Sequence, residues 1–334
     1  MKTTFKILMA PLAFFLLTFS SCKKDTDITI LNPGTGLDTS WYNNYNAGMK
    51  SVQLKNELNT DFETDFVNLN SGNNHTLNIC NNSLVLTLPA NSIVDSNRVL
   101  YRGLLNVKSK IIYNNGLNIN MLKTAKDQNG KLLQTLVSFY VAILDSSNKE
   151  MFIADNNYIN VSFNYDNPAF IPTSANLYFG NETGLLSSEW TQASPSNQNN
   201  ISVIGNDNIS VNFNEIGWVS CSRVYGATSQ QTKVSINLPS NYTNANTIAY
   251  LTIHDKNIAL QFDPNTGAKQ FQSISVPVGL NAQIVVISKQ GNSYFKGSKN
   301  IVTSAINTTG GFQEVQITPT ITTFSDMKNY INSL

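Results

Sequence analysis

Apolar residues recur at every second position over much of the chain. Ile159, Val161, Phe163 and Tyr165 alternate with Asn160, Ser162 and Asn164, and Val234, Ile236 and Leu238 alternate with Lys233, Ser235 and Asn237. A period of two puts successive side chains on opposite faces of a strand, so these segments predict half-buried strands. Segments of the same kind fall at 84–88, 104–112, 134–144, 175–179, 209–213, 247–253, 258–262, 282–288 and 313–318. Turn chemistry separates many of them, as in Asp127-Gln-Asn-Gly130, Asp145-Ser-Ser-Asn148, Asp263-Pro-Asn-Thr-Gly267 and Gln290-Gly-Asn292. Many short strands joined by polar turns predict an all-β protein of tandem β-sandwich domains. A short helix is expected at the C-terminus, where Met327, Tyr330, Ile331 and Leu334 take the spacing i, i+3, i+4, i+7 behind a Ser325 cap.

The N-terminus follows a different rule. Met1, Lys2 and Lys6 form a basic region, residues 7–19 are an apolar run broken once by Pro11, and Ser20 and Ser21 precede Cys22. The run is shorter than the roughly 20 residues that span a bilayer. Residues 1–21 therefore read as a cleaved secretory signal. The Ser-Ser-Cys ending resembles lipoproteins of Bacteroidota-type bacteria, which implies diacylation of Cys22 and a lipid anchor in the membrane. Lys23-Lys-Asp-Thr-Asp27 is similar to the lysine-plus-acid signal that sends such lipoproteins to the outer face of the outer membrane. The expected location is thus the outer membrane, lipid-anchored and surface-exposed. Leu31-Asn-Pro-Gly-Thr-Gly36 interrupts any regular pattern, so 22–40 reads as a tether.

A domain break is expected at 226–231, where Gly226-Ala-Thr-Ser-Gln-Gln231 divides two strand blocks. Residues 41–226 then form a first sandwich with an N-terminal extension, and 231–334 a second β-rich domain carrying the helix.

Four motifs occur in a recurrent order: Leu84-Val-Leu-Thr-Leu-Pro-Ala-Asn-Ser-Ile-Val94, Lys131-Leu-Leu-Gln-Thr-Leu-Val-Ser-Phe-Tyr140, Leu177-Tyr-Phe-Gly180 and Gly217-Trp-Val-Ser-Cys-Ser-Arg223. Over about residues 70–225 they resemble the β-sandwich domain shared by zonula-occludens scaffolds, ankyrins and netrin receptors, in the version found in Bacteroidota lipoproteins. Val276-Pro-Val-Gly279 through the terminal helix resembles the companion domain of those lipoproteins. The resemblance implies a structural or interaction module without a catalytic centre.

Charge and composition narrow the function further. Twenty-two basic and 21 acidic residues leave a net charge of +1. Loss of Lys2 and Lys6 with the leader turns it to −1, so bulk charge does not attract nucleic acid. Two histidines and three cysteines cannot supply a His/Cys metal cage, and no metal or cofactor is expected. The Gly-x-Ser-x-Gly spacing of a hydrolase elbow is missing from the sequence. His254 and Asp255, as sequence neighbours, point to opposite faces if extended. Asp61, Glu63 and Asp65 share one face of a strand, which reads as a solvated face, a calcium ligand set or a carboxylate pair. Cys80 and Cys221 are either a disulfide or two buried thiols.

Trp41, Tyr42 and Tyr45 either pack against the first domain or are the candidate ligand contacts, since exposed rings stack on sugar faces. Trp190 and Trp218, in apolar strand settings, are expected in the core. The expected function is a non-catalytic structural, adhesive or interaction module whose partner is a surface protein or glycan. The alternative is a carbohydrate-binding lipoprotein of a glycan-uptake system. Burial of the tryptophans favours the first, coplanar exposed rings the second.

Overall fold

The alternating segments pair with the register that their apolar faces require. The computed structural model describes residues 39–334 except Ser71, 166–173, 205–206 and 307–310. The signal, Cys22 and nearly all of the tether lie outside the described residues. Asp38–Leu334 form one compact unit, all-β apart from three α-helices among the described residues.

The first half is a sandwich of two sheets. In the six-stranded sheet the spatial order is Glu63–Asn68, Leu104–Ile112, Leu133–Asp145, Gly217–Val224, Asn176–Glu182 and Ser188–Gln192. The facing sheet runs Asn200–Ile204, Asn208–Phe213, Ile159–Asn164, Leu84–Leu88 and His75–Ile79. Val107, Phe139, Val141 and Val219 of one sheet meet Leu86, Val161, Val211 and Phe213 of the other in one core, and the rings of Phe139 and Phe213 lie 5.5 Å apart. Most outward residues of the five-stranded sheet are polar, as alternation predicts, with Val85 and Ile204 as exceptions. Asn160 Nδ2, for instance, donates to Ser210 Oγ and Asn212 Oδ1, each at 2.7 Å.

The six-stranded sheet departs from simple alternation because its outer face is covered too. Ile112, Leu133, Tyr178, Trp190 and Trp218 form a buried cluster there with Met121. Beside them runs a buried chain of hydroxyls, Ser138 to Ser220 at 2.8 Å, Ser220 to Ser222 at 2.7 Å and Ser222 to Thr135 at 3.2 Å. Ser138 donates into the row, Ser220 and Ser222 each accept and donate, and Thr135 accepts at its end, so the buried hydroxyls find partners away from water.

The second half is also two-layered. A sheet of Ile258–Gln261, Thr247–Ile253, Asn281–Gln290, Ser293–Val302 and Thr320–Thr322 faces one of Asp263–Asn265, Gln270–Gln272, Val234–Asn237 and Gln313–Gln316. Val234, Ile236, Phe271 and Val315 pack against Ala249, Leu251, Ile284 and Val286 between them. The strand Thr247–Ile253 is buried at every position. The cause is a cover of helices on its other face: α1 (Lys50–Leu58), α2 (Asn115–Asn120) and α3 (Phe324–Asn332) bring Leu54, Leu58, Ile119, Met327 and Ile331 onto Ile248, Tyr250, Val285 and Ile287.

Helix α3 starts earlier than expected. The cap is Thr323, whose Oγ1 accepts from the Asp326 N–H at 3.0 Å, and Ser325 lies inside the first turn. Thr323 leaves the preceding strand in extended geometry, which aims its side chain at the free amides. Met327 and Ile331 are fully buried, while Tyr330 and Leu334 flank them half-buried. Helices α1 and α2 were not foreshadowed by the periodicity. In α2, Asn114 caps the Leu117 amide at 2.8 Å, and Gly116 lies so close to α3 that any Cβ would collide with the Ile331 carbonyl.

The N-terminal segment 41–58 precedes the first sandwich in sequence and packs on the second. Trp41 joins the second core, Asn244 clamps Tyr42 by accepting from its N–H at 3.0 Å and donating to its carbonyl at 2.6 Å, and the Ser51 amide donates to the Ala245 carbonyl at 2.9 Å. Lys289 bridges to Glu57, which also accepts from Tyr294 at 3.0 Å. Further bonds tie the halves directly, including Ala125 N–H to the Ala259 carbonyl at 2.8 Å and Lys126 to Asp263 at 3.1 Å.

Candidate functional site

Where the two sheets of the first sandwich separate at one end, a cleft of about 640 Å³ opens. Its floor is apolar, with Ile111, Leu136 and Phe163 taken from both sheets. Tyr113 follows the end of Leu104–Ile112 and Tyr165 the end of Ile159–Asn164, so the two sheets each bring one tyrosine to the mouth. The opposite wall comes from the second half, through the 3-10 turn His254–Lys256 and Asn257.

That wall is fixed by hydrogen bonds to the sandwich. Asn257 is in the left-handed region (φ 47°), which asparagine tolerates better than most residues. In that conformation its Nδ2 donates to the Thr135 carbonyl at 3.1 Å and its own carbonyl accepts from the Thr135 amide at 3.3 Å. Arg223 is the penultimate residue of the Gly217–Val224 strand and is held as a fork: its Nε and Nη2 donate to Gln134 Oε1 at 2.9 and 2.8 Å. Lys256 pairs with Asp255 at 2.9 Å, and the hydrogen bond and charge of Asp255 hold the ammonium above its ordinary pKa. Burial raises the Tyr165 phenol, and the nearby Arg223 charge opposes it.

The residues singled out in the sequence lie elsewhere. Trp41 packs on Phe271 with ring centroids 5.1 Å apart. Tyr45 packs against the helix-covered face, where burial pushes its phenol up to about 12. Tyr42 alone of the three is exposed, at 38%. Trp190 and Trp218 are buried, as expected. Asp61 precedes the strand Glu63–Asn68, and Glu63 accepts from the backbone and side-chain nitrogens of Asn81, both at 2.8 Å. Glu63 therefore secures a left-handed turn at Cys80–Asn82, and Phe66, on the opposite face of the strand, is 64% exposed. Among the described residues no three His, Cys, Asp or Glu side chains gather as a metal site. His75 opens a strand of the first half and His254 falls in the 3-10 turn of the second.

Cys80 and Cys221 are buried in the first core and unbonded. Burial pushes their thiols up to about 11 and about 12, so at pH 8 roughly one in a thousand or fewer is the reactive thiolate. Both should resist a thiol reagent at pH 8 in the native protein and react fully in denaturant. Rapid native labelling, or no free thiols after non-reducing denaturation, would contradict this.

A second cleft, of about 410 Å³, lies on the outer face of the six-stranded sheet and contains Lys123. The Lys123 side chain is 3% exposed, 3.1 Å from Glu182 and 4.5 Å above the Trp218 ring. Burial lowers its pKa against the opposing pull of Glu182. Burial alone would raise Glu182, but the Lys123 charge and hydrogen bond leave it lowered. The ammonium thus bears a desolvation cost that the pair only partly offsets, and Glu182, 58% exposed, stays solvated without it. Lys123→Met should therefore leave the melting temperature unchanged or raise it. A drop of several degrees would show that the ion pair is a net stabiliser.

No local pattern announced the residues of the 640 Å³ cleft. Their signals are faint: one of only three arginines in the chain is the penultimate residue of a core strand, and a tyrosine directly follows each of two strand ends. A scan against protein-family models finds none that matches this chain, and a search of curated proteins finds no match to it.

Proposed function

We propose that this chain is a non-catalytic binding module, held at the outer surface of the outer membrane by lipid on Cys22. The observation that carries the binding part is the cleft between Tyr113, Tyr165 and the Asp255–Asn257 wall, a concavity whose wall is joined to the sandwich by the Asn257–Thr135 bonds and whose Arg223 is held by Gln134. Burial of Trp190 and Trp218 supports a module that builds its large rings into its own cores. The likeness to the scaffold, ankyrin and netrin-receptor sandwich belongs to the same proposal. It is supported by the four motifs, whose larger parts fall on core strands of one two-sheet sandwich.

The anchor rests on the leader pattern and Cys22. No described helix is long and apolar enough to cross a membrane. Growth with labelled palmitate should mark the wild type and leave Cys22→Ser unlabelled and uncut, and protease added to intact cells should degrade the wild type. Label on the variant, or full protection of the wild type, would overturn the displayed-lipoprotein reading.

A further inference from the structure

We propose that the cleft at the open end of the first sandwich binds a neutral saccharide, with a sugar ring against the tyrosines at its mouth. This rests on the binding-module reading and names its ligand class. The volume of about 640 Å³ lies within the roughly 300–1,000 Å³ of small-ligand sites.

The lining separates a sugar from other ligands. Tyr113 is 61% exposed, so its ring is accessible at the mouth of the cleft. A pyranose has an apolar C–H face that stacks on such a ring and an edge of hydroxyls that needs polar partners. The cleft supplies both. Lys256 carries a donor, Asp255 an acceptor, and Asn164 and Gln134 bring side-chain amides.

An anionic ligand fits less well. Arg223 and Lys256 outnumber Asp255 in the lining, but a phosphate or uronate would meet the Asp255 carboxylate that pairs with Lys256 and an arginine fork already directed at Gln134. An apolar ligand would strip water from the same charged rim. The wall that faces the tyrosines is set in advance by the paired bonds between Asn257 and Thr135 and by the Arg223–Gln134 fork. Little ordering remains to be done on binding, which preserves affinity for a ligand that offers mainly hydrogen bonds.

The test uses the full chain in a sugar-free detergent on an array of neutral hexose and N-acetylhexosamine oligosaccharides beside sialylated and uronate-bearing ones. Binding to at least one neutral glycan is expected, at least tenfold weaker with Tyr113→Ala and with Arg223→Lys, and unchanged with Phe66→Ala. Melting curves of all three variants check that the fold persists. A silent array, binding confined to acidic glycans, or binding indifferent to Tyr113→Ala in a folded protein overturns the sugar assignment. If the array is silent while a purified protein partner is held in a Tyr113-dependent way, the sugar fails and the binding module stands. Release of new reducing ends from a bound glycan would instead overturn the non-catalytic reading.

Discussion

A fragment running from Gln231 to Leu334 is expected not to melt cooperatively, although it contains every strand of the second sandwich. Thr247–Ile253 and most of Ile258–Gln261 and Asn281–Gln290 in its principal sheet are buried on both faces in the whole protein, and one cover comes from outside the fragment. Leu54 and Leu58 of α1 and Ile119 of α2 lie on Ile248, Tyr250, Val285 and Ile287, and Trp41 closes the other core beside Phe271. Burying an aliphatic side chain of this size contributes about 1.5–3 kcal/mol. Three of them together rival the roughly 5–15 kcal/mol by which a typical domain is stable. The fragment also strands Lys289 without Glu57 and loses the Asn244 clamp on residue 42. The expected result is a broad thermal transition with dye-binding apolar surface, against a single sharp transition for Asp38–Leu334. A sharp β-type melt of the fragment would show that the strap and α2 are dispensable.

Ile331→Asp in the whole chain should lower stability by about 4 kcal/mol or more, a fall in Tm of roughly 10 °C. Ile331 is fully buried in α3, among Ile119, Met327 and the covered sheet face. The carboxylate would sit in an apolar layer with no counter-charge, or be protonated at a similar cost. Relaxation by shifting the helix is blocked, because α3 meets α2 at Gly116 with no room for even a Cβ. Ile331→Val, which removes one methylene, should cost about 1 kcal/mol. Urea melts of the two variants measure the difference. Equal midpoints would mean that α3 is not docked as described.

Periodicity is a local property, and it determined what is local. Alternation marked strands such as Ile159–Asn164 and Val234–Asn237, and the i, i+3, i+4, i+7 spacing found α3, because each reports which side of an element avoids water. It missed α1, a nine-residue helix with only Leu54, Leu58 and Val52 as buried hydrophobics. A helix so short gains its stability from what it packs on. That partner, the sheet around Tyr250, lies nearly 200 residues away.

The same limit hid the site. Tyr113, Tyr165, Arg223 and Asn257 come from four separate segments of the chain, and nothing in the residues around any one of them requires the others. Asparagine shows the division most plainly. The chain has 48, all able to enter left-handed turns, and composition alone distinguishes none of them. Asn81 is held there by Glu63, and Asn257 is tied to Thr135 through paired bonds. The sequence by itself determined many of the strands with their buried faces and the terminal helix. Tertiary structure alone decided which distant segment covers each exposed face and which side chains meet at the cleft, because those contacts join residues that no short-range pattern connects.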